Sequence, residues 1–307
     1  MSVYTRIERD ELEDFLQNYP LGQLLSYTGI EAGIENSNYL LATSQGEFVL
    51  TLFEWITQRQ LDYFLRLLQH LQLLNFPCPE PQPDNNGTMI NELAEKPAAI
   101  FKRIAGTSVI NAAALHCQQV GAQLAKLHGC GKSFPMRKTN DMDLRYCHQL
   151  AAKIKPRLKT ADYQRIVIEL DFQSAYSQVK LPQGLIHGDL FKDNVLFADN
   201  RLSGILDFYN ACHDSFLTDL AITANDWCHE AGGQLNREKL ESLLGGYQQV
   251  RLLTEIELKM LPVMFRFSAL RFWLSRLEHQ LFPRAGDLTQ EKDPLLYRYI
   301  LEQHQAM

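Results

Sequence analysis

Residues 186–208 read IHGDLFKDNVLFADNRLSGILDF, and the polar positions in this run decide how the rest of the chain is read. His187-Gly188-Asp189 is followed by Asn194, and a largely apolar stretch then closes on Asp207. Each of these residues taken singly is ordinary turn punctuation. Together they are the oxygen donors that phosphoryl transfer needs: carboxylate and amide oxygens for Mg²⁺, and another carboxylate to accept the proton of an attacking hydroxyl. Gly184-Leu185-Ile186 reads as a short strand entering a polar loop, and Val195-Leu196-Phe197 and Leu202 to Leu206 read as a hairpin turning on Asp199-Asn200. That arrangement predicts that Asp189, Asn194 and Asp207 meet at one mouth. Asp189, ionised near neutral pH, is the expected base, with Asn194 and Asp207 as metal ligands. Lys192 lies between base and amide, where it either reaches the transferring phosphate or is a solvated loop residue.

The ordered set H-x-D-x₄-N, then apolar-Asp-Phe, is similar to the H-R-D-L-x-x-x-N and D-F-G elements of protein kinases. Gly188 stands in place of the arginine and Tyr209 in place of the last glycine. H-G-D looks like the small-molecule kinases, and the chain resembles the aminoglycoside phosphotransferase and choline kinase superfamily. Within it, DFYNACHDSFLTDLAITANDWC (Asp207 to Cys228), EFVLTLFE (Glu47 to Glu54), ENSNYLL (Glu35 to Leu41) and RFWLSRL (Arg271 to Leu277) resemble the bacterial homoserine kinases. The match runs from Val3 to about Leu281. This resemblance implies a protein-kinase-like fold, ATP and Mg²⁺ as cofactors, and a small amino acid with a primary hydroxyl as acceptor. It also implies that adenine pairs with backbone groups of a lobe-linking strand around Phe101, Lys102, Arg103 and Ile104. Asp219 resembles the family aspartate that holds the catalytic loop in place, and His187 orients that loop.

From the start of the chain, Leu24 to Ile30, Ser37 to Thr43 and Glu47 to Phe53 read as strands. A helix is expected from about Thr57 to Asn75, with Leu61, Phe64, Leu65, Leu68 and Leu71 at helical spacing. PCPEPQP (Pro77 to Pro83) reads as an extended connection rather than a strand. Met89 to Leu93 and Ala98 to Ile104 then complete an expected five-stranded antiparallel lobe with one helix. The boundary is expected at Ala105-Gly106-Thr107, giving an N-terminal nucleotide-binding lobe, 1–104, and a C-terminal catalytic and substrate-binding lobe, 105–307. Past it the pattern is helical: Asn111 to His128, Asp141 to Leu158, Asp162 to Val179, Phe216 to Cys228, Arg237 to Val250, Glu255 to Phe282 and Pro294 to Gln303. Strands first and helices afterwards define a two-lobed α+β enzyme with its nucleotide in the cleft between lobes.

Gly29 and Gly33 precede Asn36, Ser37 and Asn38, so TGIEAGIENSNYLL is where a phosphate-covering turn belongs. It is not a Walker loop. The following strand departs from the kinase pattern, for Thr51 stands where V-A-I-K carries its lysine, and the next helix offers no matching glutamate. Losing both is consistent, since a buried glutamate without its lysine is costly. Arg103 and Lys192 are the replacement cations considered. For an amino-acid acceptor, Tyr209, Asn210, Asp214, Asp226 and Arg271 are the candidate contacts, with Arg271 set on a strongly apolar helix and suited to a carboxylate or to an internal salt bridge.

At 307 residues and 46% hydrophobic, the chain can bury a sizeable core. The charged start MSVYTRIERDELEDF and the absence of any apolar run near the roughly 20 residues of a membrane helix predict a cytosolic protein. A net charge of −6 disfavours nucleic acid and anionic membranes as partners, and oligomeric state is not legible. The six cysteines are dispersed and read as free thiols. The second reading from another class is a catalytically weak nucleotide-binding protein, motivated by Thr51. Within the kinase class the alternatives are choline-like or aminosugar acceptors.

Overall fold

The computed structural model describes residues 5–30, 36–283 and 293–306. They fall into two units, one formed by Met1–Gly106 with Ser203–Tyr209, the other by Thr107–Leu202 with Asn210–Met307.

The first unit is an antiparallel sheet carrying a helix on one face. Its strands β1 (Leu24–Ile30), β2 (Ser37–Thr43), β3 (Gly46–Leu52), β4 (Glu80–Gln82), β5 (Asn91–Leu93) and β6 (Lys96–Lys102) run in the order β1-β2-β3-β6-β4, with β5 also on β6. β2 alternates fully and partly buried residues, the signature of a strand with one face on a core. On that face Tyr39, Leu41, Leu50, Leu52 and Ile100 pack with Leu12, Phe15 and Leu16 of helix α1 (Arg9–Leu16). Helix α2 (Gln58–Leu73) opens on Thr57, whose side chain accepts from the Gln60 amide while Gln60 returns the bond, a reciprocal cap.

The structure differs from the sequence expectation in the extra helix α1, in the strand count and in the grouping of one late segment. The sheet has six strands rather than five, because Glu80–Gln82 of the proline-rich stretch pairs with β6, Pro81 lying opposite Phe101. As the outermost strand it bonds on one side only, and there proline's missing N–H is tolerated. Ser203–Tyr209 groups with the first unit although it is distant in sequence. The cause is aromatic packing: the Tyr209 ring lies 4.5 Å from Phe64 and 6.0 Å from Phe53, and Phe208 lies 6.3 Å from Phe76.

The second unit is mainly helical: α3 (Ala114–Cys130), α4 (Leu144–Ile154), α5 (Thr160–Ala175), α6 (Phe216–Trp227), α7 (Arg237–Gln248), α8 (Glu255–Leu281) and α9 (Pro294–Gln305). Trp273, Leu274 and Leu270 of α8 lie at the centre of a core shared with Leu150 and Ile154 of α4, Ile166 of α5 and Tyr297 and Ile300 of α9. Strand β7 (Gln183–Ile186) pairs antiparallel with β10 (Cys212–Ser215). The hairpin β8 (Val195–Ala198) and β9 (Arg201–Ile205) turns on Asp199 and Asn200 at φ 49° and 59°, the left-handed pair that a two-residue hairpin turn requires. The chain passes into the first unit along β9. Among the described residues no helix is long and apolar enough to cross a membrane.

Candidate active site

The loop that follows β7 is held by its backbone. At Gly188 the chain takes a left-handed φ of 80°, and a Cβ there would lie 2.9 Å from the Asn210 carbonyl, so this turn needs glycine. The flanking N–H groups point to one acceptor: His187 N donates to Asp219 Oδ2 at 2.7 Å and Gly188 N to Asp219 Oδ1 at 2.8 Å. Asp219 is fully buried in the first turn of α6 and takes a third hydrogen bond from His128 Nε2 at 3.1 Å. Burial pulls its carboxyl up, but the His128 and His187 hydrogen bonds outweigh that and hold it below the ordinary aspartate range. Asp219 is therefore a fixed anion that sets the backbone leading into Asp189.

Beyond the turn, Asn194 closes the loop. Its Nδ2 donates to the Asp189 carbonyl at 2.9 Å, which commits the amide's donor end and leaves Oδ1 as its ligand atom. Phe191 N donates to the same carbonyl at 2.9 Å. The far end of α6 completes the clamp, with Asp226 Oδ2 accepting from Lys192 N at 2.8 Å and Trp227 Nε1 donating to the Leu190 carbonyl at 3.1 Å. One helix thus grips the loop before and after Asp189. Asp226, a candidate substrate contact in the sequence, and Trp227 both hold the loop. Asp207 lies in the first unit and also has a left-handed φ, 59°.

Lys192 is held by its backbone, its N–H donating to Asp226 Oδ2 at 2.8 Å. Arg271 of α8 sits on the loop: its Nη2 donates to the Gly188 carbonyl at 3.4 Å and lies 3.0 Å from Met142 Sδ. It is only 4% exposed, and its guanidinium lies 4.8 Å from the centroid of the Phe272 ring. Asp214 is engaged internally, accepting from Asn140 Nδ2 and from Thr218.

In the first unit, Asn36, Ser37 and Asn38 use their side chains to tie strand ends. Asn36 Oδ1 accepts from Glu54 N at 3.4 Å, Ser37 Oγ donates to Glu54 Oε1 at 2.7 Å, and Asn38 Oδ1 accepts from Thr51 Oγ1 at 2.7 Å. Thr51 is therefore a strand tie at the position of the absent lysine. Gly33 lies outside the described residues. Arg103 meets Glu47, donating from its backbone N–H to the carbonyl at 3.0 Å and from its guanidinium to the carboxylate at 2.7 Å. The Phe101 side chain is buried in the sheet, and Ile104 packs against Gly204.

Among the described residues no group of three or more His, Cys, Asp or Glu gathers to hold a metal by itself. Asn194 Oδ1 and the Asp207 carboxylate are each hard oxygen donors, the ligand type that Mg²⁺ takes alongside phosphate and water.

A sheet unit with a capped helix, a helical unit, and an H-G-D loop clamped by a buried aspartate define a phosphotransferase of protein-kinase-like fold. The chain belongs to the phosphotransferase enzyme family, whose model matches residues 26–253. It is 40% identical over 302 residues to a homoserine kinase of Methylobacillus flagellatus, covering 98% of this chain and 95% of that one. It is 44% identical over 301 residues to a homoserine kinase of Nitrobacter hamburgensis, covering 97% and 92%. Among solved structures, the amicoumacin kinase hAmiN in complex with AMP-PNP, Ca²⁺ and Ami shares the fold at a TM-score of 0.74 and 16% identity, covering 98% of this chain and 94% of that one.

Proposed function

We propose that this chain is an ATP-dependent homoserine kinase, transferring the γ-phosphoryl group of ATP to the side-chain hydroxyl of L-homoserine. The observation that carries the reading is an intact H-G-D…N…D-F set in a chain that is 40% to 44% identical, nearly end to end, to homoserine kinases. Asp189 accepts the hydroxyl proton as the nucleophile attacks. Asp219 and Asn194 support that role by fixing the backbone on either side of it. Asn194 Oδ1 and Asp207 would hold Mg²⁺, which neutralises phosphate charge during transfer. Asn36, Ser37 and Asn38 contribute to nucleotide binding through backbone groups, as do Phe101, Arg103 and Ile104. With two small soluble substrates the enzyme acts in the cytoplasm.

Arg271 is the proposed anchor of the acceptor's carboxylate. A buried guanidinium left without an anion is costly, and carboxylate recognition by arginine uses its planar fork. The carbonyl it touches belongs to the residue next to Asp189, so a carboxylate held there keeps the acceptor beside the base.

A coupled ATPase assay with homoserine, choline, an aminosugar and other amino acids tests the reading. Homoserine-dependent turnover supports it. Turnover with another alcohol only, or nucleotide binding with no turnover at all, refutes it. Asp189→Asn is expected to retain nucleotide binding and to lose roughly 10²-fold or more in kcat; a loss within a few-fold overturns the base assignment.

A further inference from the structure

We propose that Tyr247, Arg251 and Glu257 are positioning residues for the phosphoryl-transfer loop, acting on Asp189 through His128 and Asp219; the inference rests on the kinase reading above. These residues form one continuous chain of hydrogen bonds across the second unit, from the start of α8 to the catalytic loop.

The chain begins at Glu257, fully buried in the first turn of α8. Its Oε2 accepts from the backbone N–H and the hydroxyl of Thr254, each at 2.9 Å, and its Oε1 accepts from Arg251 Nη2 at 2.8 Å. Arg251 also donates from Nη1 to Tyr247 Oη at 3.2 Å. That bond occupies a phenol lone pair and sends the phenol's own proton to the next partner, His128 Nδ1, 2.8 Å away. A histidine that accepts at Nδ1 carries its proton on Nε2, and Nε2 is the atom that meets Asp219 Oδ2. Asp219 then takes the amides of His187 and Gly188. Every donor along this line has one acceptor, so the tautomer of His128 is dictated from the α8 end.

The charged and titratable groups facing His128 are Asp219 from α6, Tyr247 from α7, and Arg251 and Glu257 beyond them. Burial keeps the imidazole neutral against the pull of Asp219. Phe216 stacks on the ring at 4.5 Å and 27°, and the Arg251 guanidinium lies 4.7 Å from the Phe216 centroid. The helices that carry the two ends of the His128–Tyr247 bond are drawn together by glycine: a Cβ on Gly121 of α3 or on Gly246 of α7 would come within 2.0 Å of a carbonyl oxygen of the other helix. A hydrogen-bonded chain of this kind, buried at Glu257, Tyr247, His128 and Asp219, favours one arrangement of its members. Removing the phenol oxygen frees His128 Nδ1 to take a proton or to turn, and Asp219 then holds the loop less well.

Tyr247→Phe in the full chain is the test, with kcat and KM measured for ATP and for the acceptor on which the parent protein turns over best. The expected result is a fall in kcat of roughly 10-fold, with the KM for ATP within about twofold, and an acid limb of kcat displaced to higher pH because Nδ1 can now be protonated. Arg251→Lys, which keeps the charge and loses the two-pronged contact, is expected to give a weaker version of the same change and serves if Tyr247→Phe does not fold. Leu243→Ala, a core truncation on the same helix outside the relay, is expected to lower thermal stability with kcat retained. An unchanged kcat in the folded relay variants, or an equal loss in Leu243→Ala, overturns the proposal. A parent protein without turnover on any acceptor is instead a failure of the kinase reading.

Discussion

At Arg271 the proposed contact with the acceptor can be set against stability in a single side chain. It is buried, and its neighbours include a carbonyl oxygen, a thioether and the Phe272 ring, all neutral. A buried charge without a paired counter-ion carries an uncompensated desolvation cost, which a hydrophobe of similar length removes. Arg271→Met is therefore expected to raise the urea midpoint or leave it unchanged. The same variant should raise the KM for homoserine roughly 10- to 100-fold, the worth of a hydrogen bond to a charged group, with the KM for ATP unmoved. A destabilised variant with both KM values raised would show that Arg271 is a structural cation. At this scale the sequence was legible where chemistry is local. The spacing of His187, Asp189, Asn194 and Asp207 can be read within one short run, and so can the left-handed Asp199-Asn200 turn. The hydrogen-bonded partners behind Asp219 are not legible, because His128, Tyr247 and Glu257 come from distant elements and nothing in their own neighbourhoods marks a buried polar chain.

Elements with strong periodicity were legible, and those defined by long-range pairing were not. The helices from α2 to α9 follow apolar spacing with caps at Thr57, Asp143, Asn236 and Thr254. Helix α1 escaped notice because RDELEDFL is mostly charged and shows its apolar face only at Leu12, Phe15 and Leu16. Strands β4 and β10 escaped because EPQ and CHDS carry no alternation; each is a strand only because β6 or β7 is beside it. The pair Gly245-Gly246 on α7 separates propensity from packing. Both glycines lie inside a helix, where alanine is preferred by up to about 1 kcal/mol. A Cβ at Gly245 meets nothing within 4 Å, so Gly245→Ala is expected to stabilise by about 0.5–1 kcal/mol. A Cβ at Gly246 would lie 2.0 Å from the Gln118 carbonyl, a backbone atom of α3 that cannot swing aside, so Gly246→Ala is expected to destabilise by about 1–3 kcal/mol. Urea midpoints of the two variants check the contrast, and equal midpoints would mean that the helices do not cross this closely.

At the scale of the whole molecule, stability should fall in mild acid, and buried histidine is the cause. His229 and His304 are both 4% exposed, with rings 5.3 Å apart, and His304 Nε2 donates to Asn225 Oδ1 at 2.7 Å while its ring stacks on Phe265. Burial lowers the pKa of His229 to about 4 and that of His304 to about 3, from 6.5. Above pH 6.5 neither state binds these protons and the pair has no pH-dependent effect. Below 6.5 the unfolded chain binds them and the folded chain does not, so stability falls as pH falls, until the folded values are reached. The slope is at most about 1.4 kcal/mol per pH unit for each histidine. Between pH 7.5 and pH 5.0 the two together are expected to cost up to about 4 kcal/mol, a large part of the roughly 5–15 kcal/mol that holds a typical domain folded. His128, also lowered by burial, acts in the same direction, whereas the depressed carboxyl of Asp219 adds its loss only at more acid pH. His304→Gln keeps a side-chain N–H for Asn225 and removes a titrating ring. Its urea midpoint at pH 5.0 should lie closer to its own pH 7.5 value than the parent's does. Equal acid sensitivity of parent and variant would place the responsible protons elsewhere, and no acid sensitivity in the parent would mean that these rings can charge without unfolding the unit they stand in.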